Sequence, residues 1–224
     1  MLHFILQTEA ADVVAESTSI SLLDMATRGG WLMLVLLALS LIAVYIFGER
    51  LVALHKATKT DPHFKDVLKE YIHDGKLEAA LYLCQDTPTT TARLMEAGVR
   101  NISRPATAIR SAMENQANAQ VAELEKGLPA MASISGGAPM IGFLGTVVGM
   151  IQAFYNMSIA GTNIDITLLS DGIYTAMVTT VGGLVVGIPA YFAYNYLSAR
   201  VDRVVNRMER DTLDFLEMVQ ESEK

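Results

Sequence analysis

The chain has 224 residues, 51% of them hydrophobic and only 18% charged, with a mean hydropathy of +0.32. That balance is too apolar for an ordinary soluble domain and points to a membrane protein. The net charge of −7 and pI near 5.1 argue against nucleic acid as a partner, and the single cysteine, Cys84, allows neither an internal disulfide nor a thiolate metal cluster, so it reads as a core residue of a reducing compartment.

Residues 1–28 form an N-terminal extracytoplasmic segment without the positive start and long apolar run of a signal peptide. Leu2, Ile5, Leu6 and Val13 share a helical face, and Glu9, Asp12 and Glu16 acidify the rest. This fits a short helix at the membrane interface or a frayed terminus. The first transmembrane helix is expected over 29–48, 20 residues without a charge. At a rise of about 1.5 Å per residue it spans about 30 Å, one bilayer core. Trp31 marks one interface and Tyr45 and Phe47 the other. Its Leu-rich surface has no small-residue stripe, so it is expected to face lipid, and it doubles as an uncleaved targeting signal.

Residues 49–128 read as a cytoplasmic helical domain. Asp61-Pro62 is a helix start, and Phe64, Val67, Leu68, Tyr71 and Ile72 repeat at helical spacing up to Gly75. A second helix is expected over Lys76–Gln85, ended by Thr87-Pro88, and a third over Thr90–Asn101. A fourth begins at Pro105, carries Ile109, Met113, Ala117, Val121 and Leu124 on one stripe, and is expected to run on into the second span. His55, His63 and His73 form no close i, i+4 ligand pair, so no metal site is expected.

The second transmembrane helix is expected over 129–158, with 139–157 in the membrane. The uncharged run Gly127–Ile164 has 38 residues, about 57 Å if wholly helical and too long for one crossing. Pro129, Gly136, Gly137 and Pro139 crowd its first third, predicting a bend near Gly136–Pro139 with Pro139 as the kink. Beyond it, Gly142, Gly145, Thr146, Gly149 and Ala153 fall within about a 100° arc of the helix. Lipid supplies no hydrophobic force between helices, so such a stripe lets backbones touch, and it predicts oligomerisation through the stripe. Thr146 is its one hydroxyl; a lone threonine in a helix more commonly bonds its own i−4 carbonyl.

A short extracytoplasmic loop is expected over 159–171, then a third transmembrane helix over 172–199, 28 uncharged residues kinked at Pro189. Gly172, Thr175, Ala176, Thr179, Thr180, Gly183, Gly187 and Ala190 occupy about a 140° arc. Leu197, Val201, Val204, Met208, Phe215 and Val219 keep helical spacing, so the span is expected to continue as one helix through the tail, 200–224.

Lys and Arg orient the chain: 11 lie in 49–126 and 5 in 200–224, against Arg28 alone before the first span. The positive-inside rule then predicts the N-terminus outside and the C-terminus inside. Arg200, Arg203, Arg207 and Arg210 read as an anchor to phospholipid headgroups or a cytoplasmic mouth. The expected fold is an all-α integral membrane protein with three spans, long helices extending into the cytoplasm, and a helical hairpin domain. No phosphate loop, serine elbow or carboxylate pair suggests an enzyme or a cofactor. Thr146, Thr175, Thr179 and Thr180 supply hydroxyls for a polar channel wall, but neither helix carries an ionisable residue in the membrane. A proton or ion path would need one, so a partner must bring the charge. A scaffold whose threonine faces merely pack helices is the alternative of another class.

G-F-L-G-T-V-V-G-M, preceded by G-G-A-P, and A-M-V-T-T-V-G-G-L-V-V-G-I-P-A-Y-F-A-Y-N resemble the MotA/TolQ/ExbB proton-channel family. The three-span layout is similar to its ExbB and TolQ branch. The resemblance implies a homopentamer in a bacterial inner membrane, around the single spans of an ExbD- or TolR-like dimer bearing an intramembrane aspartate. It also implies coupling of proton flow to a TonB- or TolA-like protein. Thr146 and Thr180 match the family's pore-lining threonines. Thr175 stands where many relatives have glutamate, which leaves the partner's aspartate as the proton carrier.

Overall fold

The computed structural model describes residues 30–58, 63–160 and 166–222. The N-terminal amphipathic segment and the Asp61-Pro62 helix start lie outside the described residues. All regular structure among the described residues is α-helical: α1 (Trp31–Thr58), α2 (Phe64–His73), α3 (Leu77–Asp86), α4 (Thr90–Arg100), α5 (Ala106–Glu125), α6 (Leu128–Ala160) and α7 (Ile166–Ser222). Three stretches, Trp31–Thr58, Ala106–Ile159 and Leu169–Glu221, are long and apolar enough to cross a membrane.

Several helix ends differ from the sequence-based expectation for one reason. A charge ends an apolar run but does not end a helix. The helix of the first span therefore continues past Gly48 through Glu49 and Arg50 to Thr58. The loop expected over 159–171 is shorter, because α7 already begins at Ile166 and includes Asp171. The tail, by contrast, follows the expectation and continues α7 without interruption to Ser222. The opposite correction applies between α5 and α6, which were expected to be continuous. Lys126 leaves the helix at φ −54°, ψ 124°, and Gly127 takes φ +87°, a left-handed conformation that glycine adopts at little cost. A Cβ there would also crowd Ile46 Cγ2 at 3.2 Å.

The chain divides into two compact units, one made of residues up to Ala38 with Ala138–Val185, the other of Leu39–Gly137 with Val186–Lys224. The second unit has a conventional core. Leu68 of α2, Cys84 of α3, Leu94 and Met95 of α4, and Ile109 and Met113 of α5 are buried with the α7 residues Leu197, Val201, Val204, Met208, Phe215 and Val219. The α7 residues follow steps of three, four and seven, so one face of a single long helix meets several short ones. Phe215 lies flat against Gly98, where a Cβ would approach its ring to 2.5 Å. Burial pushes the Cys84 thiol up to about 12, with Glu96 adding to the shift, so it stays protonated in this core.

One polar knot ties α2, α4 and α7 together. Asp211, 2% exposed, receives the Lys65 ammonium at 2.6 Å and the Thr91 hydroxyl at 2.8 Å, and Lys65 also reaches Asp214 at 2.7 Å. Burial works against the Lys65 ammonium, but its hydrogen bonds to Asp211 and Asp214 outweigh it and raise the pKa. Removing the lysine leaves a buried carboxylate with a single hydroxyl donor. Lys65→Met should thus destabilise the protein by about 2 kcal/mol, read as a lower thermal midpoint in detergent. A pKa raised on folding means that this contribution is complete below the unfolded value near 10.5 and fades as pH rises through the folded one. The gap between wild type and variant should therefore narrow above that pH; a gap independent of pH would show that the ion pair carries none of it.

Candidate functional site

The first unit is built on a seam of glycine. Ala138, Gly142, Gly145, Gly149 and Ala153 are the buried residues of α6 between 138 and 160, spaced three and four apart. They meet the α7 segment of the same chain. A Cβ at Gly142 would lie 3.0 Å from the Thr179 carbonyl oxygen; at Gly145, 2.6 Å from Thr179 Cβ; at Gly149, 2.8 Å from Ala176 Cβ. At Gly172 it would lie 2.6 Å from Ala153 Cβ, and at Gly183 it would lie 2.6 Å from the Ala138 carbonyl oxygen. As α6 advances from 142 to 153, its neighbour steps back from 183 to 172, so the two helices are antiparallel with backbones in contact. The stripe expected to join subunits is thus filled from within the chain.

The neighbouring glycine, Gly182, points elsewhere. A Cβ on it would sit 2.9 Å from Met33 Sδ and 3.5 Å from Leu36 Cδ1 of α1, and Leu36 is 2% exposed. Sequence reasoning missed this contact; the adjacent pair Gly182-Gly183, one glycine for each of two neighbours, was the available signal. Gly187 is buried in the second unit. Pro139 and Pro189 lie inside α6 and α7, and both helices continue through them.

The threonines fall into distinct settings. Thr179 is 1% exposed, its side chain against Gly145 and its hydroxyl donating to the Thr175 carbonyl at 2.9 Å. It is a packing residue of the seam and not part of an open wall. Thr175 is half-buried. Thr146 and Thr180 are also half-buried and flank the seam. Thr146 donates to its own helix, to the Phe143 carbonyl at 2.6 Å. Thr180 instead crosses between helices and donates to the Gly142 carbonyl at 3.0 Å. The two hydroxyls therefore sit on consecutive carbonyls of α6. Gly142 makes this possible, because without a side chain its carbonyl is open to the adjacent helix. Each hydroxyl uses its proton on a carbonyl and keeps lone pairs that can accept from an incoming acid.

At the far end of the uncharged run on α7, Arg200 donates to the Tyr196 hydroxyl at 2.7 Å and stacks 5.2 Å from that ring's centroid. Arg207 donates to the Thr58 carbonyl at 3.1 Å, while Arg203 and Arg210 are exposed. No group of three His, Cys, Asp or Glu side chains that could hold a metal occurs among the described residues.

Comparison with known proteins places these features in context. Residues 86–210 match the family model described as the MotA/TolQ/ExbB proton channel family. The chain is 28% identical over 194 residues to a biopolymer transport protein ExbB homolog of Methanothermobacter thermautotrophicus, covering 84% of this chain and 67% of that one. It is 29% identical over 194 residues to the Tol-Pal system protein TolQ of Haemophilus influenzae, covering 82% and 83%. It is 30% identical over 185 residues to an ExbB-like biopolymer transport protein of Synechocystis, covering 79% and 70%.

The seam makes a sharp mutational contrast. Gly145→Leu drives a branched side chain into Thr179 and should cost about 1–3 kcal/mol in stability. Gly136→Leu, at a position with nothing within 4 Å, should be near neutral. Thermal unfolding in detergent compares the two; equal midpoints would contradict backbone contact at Gly145.

Proposed function

The chain belongs to the MotA/TolQ/ExbB proton channel family, and on that premise we propose that it is an ExbB-like subunit of a proton-channel motor. In this reading five copies surround an ExbD-like single-span partner, and proton flow through the partner's intramembrane aspartate drives TonB-dependent transport. The N-terminus lies outside a bacterial inner membrane, a placement supported by the 16 of 17 Lys and Arg that sit in 49–126 and 200–224.

The observation that carries the reading is a pair of hydroxyls on consecutive carbonyls within runs of α6 and α7 that hold no Asp, Glu, Lys, Arg or His. Both runs, Gly127–Ile164 and Gly172–Ala199, lack charge entirely. A carboxylate at mid-membrane costs about 2.5–3.5 kcal/mol on insertion scales, so a partner aspartate is neutral against apolar walls. Thr146 and Thr180 accept from its acid form as they stand. Rotating away from their carbonyls, they donate to its ionised form. The partner's group can so pass between sites as it gains and loses its proton. Thr175, where many relatives have glutamate, adds no titrating group.

A TolQ-like role in an envelope-integrity motor is the second reading, supported by the 83% coverage of the Haemophilus influenzae TolQ. Its partner would be TolR-like, acting on a TolA-like protein; co-purification with one partner set or the other separates the two.

Two experiments test the conduction reading. Liposomes holding this chain alone should leak protons no faster than empty ones, and adding the single-span partner should create a flux. Flux through the lone chain would mean that water in the pore suffices. In cells, Thr180→Val should still assemble, since an interhelical hydrogen bond in a membrane is worth about 0.6 kcal/mol, yet lose most energy-dependent transport. Thr180→Ser should retain it. Full transport by the valine variant with failure of the serine variant would reduce Thr180 to a packing residue.

A further inference from the structure

The second unit contains a cavity of about 340 Å³ where α1, α4 and α5 meet. Its lining is rich in cations and hydrogen-bond donors. Arg50 and Lys56 come from α1, Arg93, Thr89 and Thr90 from the start of α4, and Gln120 and Glu123 from α5. Glu123 is the one carboxylate among them, 3.6 Å from Arg93, and it leaves the lining with two positive charges in excess. Glu49, outside the lining, offsets part of this by pairing with Arg50.

Two of these residues are buried, and one of them keeps an unpaired donor. Arg50 is 7% exposed; its Nη1 donates to the Glu123 carbonyl at 2.8 Å, its Nε to Glu49 at 3.2 Å, and its Nη2 to the same Glu49 carboxylate. A guanidinium carries five donors, so some remain. Gln120 is 6% exposed, and its Nε2 has no hydrogen-bond partner among the described residues. A buried amide donor left unpaired is rare and marks a strained, functional or ligand-binding place. The first turn of α4, the positive end of that helix dipole, opens on the same cavity through Thr89 and Thr90.

We propose that this cavity binds a phosphate-bearing anion, held by Lys56, Arg93, the Thr90 hydroxyl and the first turn of α4, with Gln120 as a further donor. A tetrahedral phosphate presents enough acceptor oxygens to use donors arriving from three helices; a carboxylate does not. The α1 residues of the site begin two positions after the uncharged run ends at Gly48. At the helical rise this puts them about 3–14 Å beyond its end, so a lipid headgroup phosphate reaches the cavity as readily as a soluble one. The site shares no residue with the threonine pair and does not depend on ion conduction.

The test uses the full-length protein, purified in a non-ionic detergent. One arm titrates inorganic phosphate by calorimetry; the other titrates detergent-solubilised phosphatidylglycerol, with phosphatidylcholine as the comparison. Saturable phosphate binding supports a soluble ligand. Saturable binding seen only with phosphatidylglycerol supports a lipid headgroup. Lys56→Gln and Arg93→Gln, both at exposed side chains and so expected to fold, should each weaken whichever binding is found by about tenfold. Gln120→Leu should weaken it several-fold without lowering the thermal midpoint. Lys69→Gln, which breaks an exposed pair with Glu221 away from the cavity, is the control. Absence of saturable binding in both arms, or binding indifferent to Lys56 and Arg93, overturns the proposal.

Discussion

Direct contact between the backbones of α6 and α7 is the constraint on which the first unit depends. Two apolar helices in lipid gain nothing by hiding from water, so close van der Waals packing has to hold them. Gly142, Gly145, Gly149, Gly172 and Gly183 provide it by presenting no side chain where the neighbouring helix passes. That proximity sets the antiparallel register and brings the Gly142 carbonyl within reach of the Thr180 hydroxyl at 3.0 Å. The hydroxyl pair is therefore a consequence of the seam. With the seam filled from within the chain, Met140, Phe143, Leu144 and Ile151 remain exposed on the other face of α6.

The second unit is held together by different physics. Its helices are short, amphipathic and packed on one face of α7, where leucine, valine, methionine and phenylalanine recur at helical spacing. Asp211 adds a polar link to this apolar core: a buried carboxylate bound by Lys65 and Thr91 joins α2 and α4 to α7. The tight fit of Phe215 on Gly98 acts in the same direction. The same unit carries the basic cavity, whose unpaired Gln120 amide contrasts with the satisfied Asp211 knot.

Functionally the chain supplies geometry more than charge. Membership of a proton channel family, combined with runs at 127–164 and 172–199 that hold no Asp, Glu, Lys, Arg or His, underlies the proposed division of labour. In the proposed reading this subunit offers hydroxyls, and the proton-bearing group belongs to another chain. A hydroxyl suits that role because it both donates and accepts, so it tolerates a partner carboxyl in either protonation state. Holding the hydroxyls on backbone carbonyls until a better partner arrives satisfies them in the meantime.

By itself the sequence determined the helical class, the three membrane-length stretches and the small-residue face of each of two helices. All are written in local chemistry: runs without charge, periodicity, and the spacing of glycine along one segment. It marked Thr146 as the one hydroxyl among the glycines of its stripe and grouped Thr180 with Thr175 and Thr179; the family resemblance alone singled out Thr180. It misplaced helix ends at Thr58 and Ile166 and missed the break at Gly127, because charge and hydrophobicity report on the solvent around a helix and not on its backbone. Only the tertiary structure decided which surface fills the Gly142–Gly149 stripe, that Gly182 of α7 faces α1, and that Thr179 is packed away while Thr180 reaches the adjacent helix. Contact partners and register depend on how segments distant along the chain fit in space, and no periodicity within one segment encodes that fit.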